Sequence, residues 1–471
     1  MGRCNSVHIG STGWLRSPAR VAVQRGRGGL TGLTILAVVF AVYALVAGRL
    51  DRLSITAPMV FMVAGGILGP GGTDLLKVSL SNETTLTITE ITLALLLFAD
   101  AATVPFRDVE DDASLPSRLL FIGLPLTMVL GTVLAYLMEP SIGWAAAALV
   151  ATILAPTDAA LGLSVVTNRA VPARIRRALN VESGLNDGLA TPFVTLFLAI
   201  VVSEESAGTQ GWVVAALTQI GLAVVVALVV GLAGGWLVSQ ARSHGWTSAL
   251  SEQLAVVGLA VLAYTGAVGV GGNGFVAAFL GGVLFGHATQ GRLDGPVEFT
   301  ETIGLFMSFF VWTLFGALFV GPVLTGNTHW AVIGYAVLSL TVVRMLPVAL
   351  SLTGLGMQRR TLLFVGWFGP RGLASVVFTL VALQDLNPAS PEQSPLVQVA
   401  TWTILLSVVA HGLTAGSLSA RYGARMRSLG NVPELAPAHE SRMRRRGLAR
   451  GRPQQGHAVD SGTTDPGDER G

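Results

Sequence analysis

The chain has 471 residues, 51% of them hydrophobic and only 12% charged, where an ordinary soluble domain carries about 25% charged residues. That balance excludes a soluble globular protein and leaves a membrane protein. The formal net charge is +3 and 29 of the 30 basic residues are arginine; in a membrane protein this excess reports orientation, not nucleic-acid binding.

Residues 1–28 read as an N-terminal extension without fixed structure. Arg16, Arg20, Arg25 and Arg27 interrupt any apolar region that a signal peptide would need. Cys4 is the only cysteine, so an internal disulfide and a thiolate metal cluster are both excluded. From residue 29 to residue 420, apolar runs of about 20 residues recur almost without interruption, each long enough to cross the hydrocarbon core as a helix. They give thirteen spans at 30–48, 53–69, 86–104, 119–137, 143–165, 183–203, 211–238, 252–270, 273–289, 297–320, 330–352, 361–382 and 396–420. The expected fold is an all-α polytopic membrane protein in which residues 29–420 form the membrane domain.

With the C-terminus in the cytoplasm, the inner connections carry Arg49, Arg52, Arg107, Arg118, Arg169, Arg174, Arg176, Arg177, Arg242, Arg292, Arg359 and Arg360, whereas the outer loops carry only Lys77. This positive-inside bias alternates as thirteen spans require, and predicts a multi-pass protein of the cell membrane. The basic loop from Arg169 to Arg177 is first of all a topology signal.

Ionisable groups inside the hydrocarbon region are costly and usually functional. Here they are Asp100 on the third span, Asp158 on the fifth, Glu182 and Asp187 on the sixth, Arg344 on the eleventh and Arg371 on the twelfth. The fifth span contains Ala155-Pro156-Thr157-Asp158, where proline removes a helix hydrogen bond and frees carbonyls near Ala155 and Thr157. Unwound backbone at this depth persists only in a protein interior or a cavity. Asp158 is therefore expected beside free carbonyl oxygens.

The sixth span opens Glu182-Ser183-Gly184-Leu185-Asn186-Asp187. Helical spacing puts Ser183 and Asp187 on one face, with Glu182 and Asn186 on the adjacent stripe. Gly184 and Gly188 permit close approach of a neighbouring helix. Asp158, Asp187, the Ser183 hydroxyl and the Thr157 carbonyl together make a hard oxygen site suited to a small alkali cation. Two carboxylates cannot cheaply both stay ionised in a low dielectric, so one proton is expected to be held there when no cation is present. Exchange of that proton for a cation follows from electrostatics. The plainer alternative, acids that only pair with the two buried arginines, suits Glu182 better than the Asp158–Asp187 pair, because four acids exceed two bases.

Glu298 and Glu301 open the tenth span, where acids favour a helix N-terminus. The twelfth span is interrupted at Gly369-Pro370-Arg371-Gly372. Two broken helices, the fifth and the twelfth, are what an inverted-repeat transporter crosses at its binding site. Arg371 is placed to compensate the two half-helix C-terminal dipoles there. His287 and His411 read as interfacial or core histidines, and the glycines from Gly269 to Gly274 match no phosphate-binding motif. Residues 421–471, with the run Arg442-Met443-Arg444-Arg445-Arg446, read as a disordered cytoplasmic tail whose basic run is suited to anionic membrane lipid.

On these residues the chain resembles the monovalent cation:proton antiporter-1 family, the bacterial NhaP and animal sodium/proton exchanger group. The resemblance extends over all thirteen spans and is sharpest at 154–192 and 361–380. It rests on Thr157-Asp158 of the broken fifth helix joined to Glu182-Ser183-x-x-Asn186-Asp187 of the sixth. It implies that Asp158, Asp187, Ser183 and the Thr157 carbonyl bind the cation, and that Asn186 supports the unwound stretch. By the same resemblance Glu182 is the partner of Arg344, Arg371 is the arginine of the broken twelfth helix, and Asp100 is the third-span acid near the Asn-Asp pair. One departure is visible: where the family commonly has proline after the aspartate, this chain has Ala159, with Pro156 before Thr157. That sets the break earlier and bears on ion selectivity.

The resemblance implies a secondary active transporter, not an enzyme, with no cofactor. It would exchange Na+ or Li+ for H+, one for one, as a homodimer in which a six-helix core moves. Exchange of K+ for H+ uses the same residues. An intramembrane aspartyl protease needs Gly-x-Gly-Asp and Tyr-Asp, whereas these aspartates follow Asn186 and Thr157. A pure channel has no need of a proton at a carboxylate pair.

Overall fold

Proline and glycine at the predicted breaks, and unbroken apolar stretches elsewhere, give thirteen membrane helices among the described residues, some of them divided. The computed structural model describes residues 18–76, 83–103, 114–158, 161–205, 212–386, 394–430 and 432–436. In chain order the helices are α1 (Pro18–Arg52), α2 (Ala57–Leu68), α3 (Glu83–Ala102), α4 (Ser114–Met138), α5 in two parts (Gly143–Ile153 and Leu163–Val166), α6 (Ala173–Glu205), α7 (Val213–Ser243), α8 (Ala249–Gly269), α9 (Gly274–Thr289), α10 (Asp294–Thr325), α11 (Trp330–Ser351), α12 in two parts (Arg359–Trp367 and Leu373–Leu386) and α13 (Pro395–Leu429). Among the described residues nine helices are long and apolar enough to cross a membrane, and four shorter apolar helices, Ala57–Leu68, Pro140–Ile153, Gly274–Thr289 and Leu373–Leu386, stand beside them. The chain is a multi-pass membrane protein.

Both expected breaks are present. The first part of α5 ends at Ile153, ahead of Pro156, and α12 is unwound from Phe368 to Gly372. The Ala159 departure lies outside the described residues. A third interruption falls at Thr341 in α11, whose backbone leaves helical geometry at φ −109 and ψ −87. Turns of π-helix at Leu119–Gly123, Leu228–Ala233 and Gly316–Val320 interrupt the α-helical pattern of α4, α7 and α10.

Helices α4, α5, α6, α11, α12 and α13 pack around the two broken segments, and α2, α3, α8, α9 and α10 form a second group. The groups meet where α3 and α9 lie against α6 and α3 lies against the second part of α12. Gly282 and Gly286, one turn apart on α9, let its backbone lie directly on that of α3 at Phe98 and Ala102. A Cβ at either glycine would overlap α3, so the seating of the helix that carries Asp100 depends on them. On α6, a Cβ at Gly188 would overlap the Phe279 ring of α9.

Two boundaries differ from the sequence reading. Helix α1 starts at Pro18, inside the segment read as an extension, and residues 1–17 lie outside the described residues. The last span does not stop at residue 420: α13 continues to Leu429 because Tyr422, Gly423 and Met426 are buried against the rest of the fold. Beyond it Glu434 is fully buried and accepts the Gln358 N–H at 2.7 Å and the Thr361 hydroxyl at 2.6 Å. This carboxylate occupies the start of α12, where an anion suits the helix dipole, while Arg174 of α6 donates to the Pro433 carbonyl at 2.9 Å. Composition hid this because a single acid docks an otherwise polar stretch. Residues 437–471, including the Arg442–Arg446 run, lie outside the described residues.

Candidate cation and proton site

The site forms where the unwound segments of α5 and α12 cross, with α6 and α11 on either side. The Asp158 N–H donates to the Pro370 carbonyl at 2.8 Å, and its Oδ2 accepts the Leu373 N–H at 3.1 Å. Asp158 thus caps the second part of α12, where unpaired N–H groups and the dipole favour an anion. The fit leaves no room at Gly372, where a Cβ would overlap the Asp158 side chain. Gly372→Ala is therefore expected to displace the carboxylate and raise the half-saturating cation concentration by at least roughly tenfold, since a shift of about 1 Å can cost a hundredfold. Unchanged half-saturation in proteoliposomes would contradict this placement.

On α6, Asn186 donates from Nδ2 to the Thr157 hydroxyl at 2.6 Å, and Ser183 Oγ lies 3.3 Å from the same oxygen. Asn186 therefore ties α6 to the unwound part of α5. Its Oδ1 is buried without a partner among the described residues. Asp187 follows on the same helix, with Asp158 and Asp100 both within electrostatic reach of its carboxylate. The three aspartates are partly exposed, whereas Thr157, Glu182, Asn186, Arg344 and Arg371 are buried to 2% exposure or less.

The two arginines serve different parts of the crossing. Arg344 Nη1 meets Glu182 Oε1 at 2.6 Å, with both side chains 2% exposed. Gly369 leaves space for the Arg344 guanidinium against the α12 break. Arg371 donates from Nη1 to the carbonyls of Ala155 (2.8 Å) and Pro156 (3.4 Å), and from Nη2 to that of Ser339 (3.4 Å) in α11. Ser375 takes the Ile153 carbonyl at 2.7 Å. This corrects one expectation: the carbonyl freed at Ala155 is not open to a cation, because Arg371 occupies it. A guanidinium with several donors in a fixed fork suits a cluster of orphan carbonyls.

Two residues of the crossing escaped the sequence reading. Ser407 accepts the Arg371 N–H at 2.7 Å, and His411, read as an ordinary core histidine, lies 2.7 Å from the Trp367 carbonyl through Nε2. Their spacing of four on an apolar helix was the available signal. His287 and Glu298 do not enter the crossing, and Glu301 is buried on α10. Among the described residues no group of three or more His, Cys, Asp or Glu side chains is arranged to hold a metal ion.

A membrane fold with two broken helices crossing beside a carboxylate pair is the architecture of a secondary transporter. The transmembrane sodium/hydrogen exchanger family matches residues 35–421, and the chain belongs to that family. It is 25% identical over 307 residues to a Na(+)/H(+) antiporter of Schizosaccharomyces pombe, covering 59% of this chain and 65% of that protein. It is 23% identical over 379 residues to the K(+)/H(+) antiporter NhaP2 of Shewanella baltica, covering 77% of this chain and 62% of that protein. The chain thus spans less than two thirds of the length of these relatives. Its fold is similar to that of the sodium proton antiporter MjNhaP1 from Methanocaldococcus jannaschii at pH 8, with a TM-score of 0.67, 21% identity, and coverage of 86% of this chain and all of that one.

Proposed function

We propose that this chain is a secondary active antiporter that exchanges Na+ or Li+ for H+ across the cell membrane, with Asp158, Asp187, the Ser183 hydroxyl and the Thr157 carbonyl as the cation's oxygen ligands. The observation that carries the reading is the division of labour among the buried charges. Arg344 neutralises Glu182, and Arg371 donates to backbone carbonyls of α5 and α11, while Asp158 and Asp100 gather within electrostatic reach of Asp187. Both aspartates remain partly exposed in an otherwise buried polar cluster. A carboxylate pair in this setting must hold a proton or a cation.

The Leu373 N–H and the start of the second part of α12 hold the Asp158 carboxylate in place as a cation ligand. Asp187 then carries the exchanged proton, and Asp100 adjusts the field around it. The loaded site bears the same charge with either ion, which makes exchange one-for-one and electroneutral. Asn186, Glu182, Arg344 and Arg371 hold the crossing. The working assembly is a homodimer in lipid with the C-terminus in the cytoplasm, and no cofactor takes part.

The S. baltica relative, a K(+)/H(+) antiporter, favours K+ as the second reading for the same site. The test is the dequenching of a pH-sensitive dye in inside-out vesicles on adding sodium, lithium and potassium in turn. A response to sodium or lithium supports the first reading, a response to potassium alone the second, and none to any of the three defeats both.

A further inference from the structure

Helix α13 is mostly apolar, yet Ser407, His411 and Thr414 are stacked on one side of it by spacings of four and three. All three face the break in α12. Unwinding at 368–372 leaves the last carbonyls of one half-helix and the first N–H groups of the other without helical partners. No water of the hydrocarbon region is available to them. Helix α13 supplies further partners: the Ser407 hydroxyl accepts the Arg371 N–H at 2.7 Å, and His411 Nε2–H donates at 2.7 Å to the Trp367 carbonyl, which also accepts the Gly369 N–H at 2.8 Å. With Nε2 carrying the proton, His411 Nδ1 accepts the Ser407 hydroxyl at 3.1 Å. Thr414 accepts the Trp367 indole N–H at 3.0 Å, and the indole lies against the His411 ring with centroids 5.1 Å apart.

We propose that Ser407 and His411 are positioning residues of the cation site, a strap that pins both ends of the unwound turn and so sets the two backbone groups that hold Asp158. On the antiporter reading, the strap acts through a short chain of contacts. His411 fixes the turn at Trp367 and Ser407 fixes it at Arg371. Between these pins lies the Pro370 carbonyl that accepts the Asp158 N–H, and two residues beyond the second pin comes the Leu373 N–H that donates to the Asp158 carboxylate. Ser407 and His411 spend their side chains on this backbone, which helix-to-helix adhesion alone would not require. An unpinned turn keeps its helices but loses the register of those two groups.

Three variants separate positioning from adhesion: Ser407→Ala removes the acceptor for Arg371, His411→Leu removes the donor to Trp367, and His411→Gln keeps an amide donor. Amide hydrogen exchange of the full chain in detergent is expected to speed up by about tenfold or more across residues 369–373 in Ser407→Ala and His411→Leu, with His411→Gln staying near wild type. In proteoliposomes driven by sodium, lithium or potassium, the same two variants are expected to raise the half-saturating cation concentration by roughly tenfold, the scale of one hydrogen bond involving a charged group. Maximal rates should change little. Unchanged exchange in Ser407→Ala overturns the strap, and should His411→Leu not fold, that variant alone decides. Faster exchange with unaltered half-saturation overturns its role at the cation site. Wild-type protein that moves no protons with any of the three cations overturns the antiporter reading instead, and the exchange measurement still decides the strap.

Discussion

Replacing Asp187 or Asp158 with asparagine is expected to abolish cation-driven proton movement while the protein stays folded. Asparagine keeps the shape of the side chain and removes the charge that binds a cation and releases a proton. At position 158 the amide oxygen still accepts the Leu373 N–H that the carboxylate accepts now, so the crossing of α5 and α12 survives. At position 187 the hydrogen bond from the Thr191 hydroxyl to the backbone carbonyl is untouched. The measurement is proton flux in proteoliposomes beside a thermal melt in detergent. Exchange near the wild-type rate in either variant removes that residue from the site.

Arg344→Ala is expected to damage folding more than turnover. It strips the partner from Glu182 at a place where both side chains are 2% exposed, and breaking one side of a buried pair costs about 3–5 kcal/mol. The pair is joined by one short contact, with Glu182 Oε2 and two guanidinium nitrogens of Arg344 lacking hydrogen-bond partners among the described residues. Arg371 lies within electrostatic reach of Glu182, but its guanidinium is committed to carbonyls of α5 and α11. Glu182→Gln combined with Arg344→Gln should regain part of the loss, because two neutral amides can bond each other without a buried charge. A single arginine variant that melts with wild type contradicts the pairing.

The helices were legible because a chain in lipid must satisfy its backbone internally, so long apolar stretches mark the spans. The breaks were legible for a related reason, with Pro156 and Gly369-Pro370 removing helix geometry at membrane depth. Buried opposite charges said only that Glu182 pairs with one of the two arginines; the choice of Arg344 came from the family resemblance.

What escaped were interactions in which a side chain serves a backbone group far away in sequence. Ser407 and His411 look like ordinary polar residues of an apolar span until the break in α12 is set beside them. Glu434 looked like tail until it was found capping α12. The same blindness applied to the carbonyls of α5, since proline shows that they are freed and not that Arg371 takes them. The interruption of α11 at Thr341 carries no proline or glycine signal at that residue.

The central claim is that a cation and a proton compete for one carboxylate pair, and proton release on cation binding tests it most directly. Detergent-solubilised protein in a weakly buffered solution with a pH indicator would receive sodium, lithium or potassium, with bound cation measured in parallel. The account predicts about one proton released per cation bound, and none from Asp187→Asn. Cation binding without proton release, or release that persists in Asp187→Asn, would contradict it.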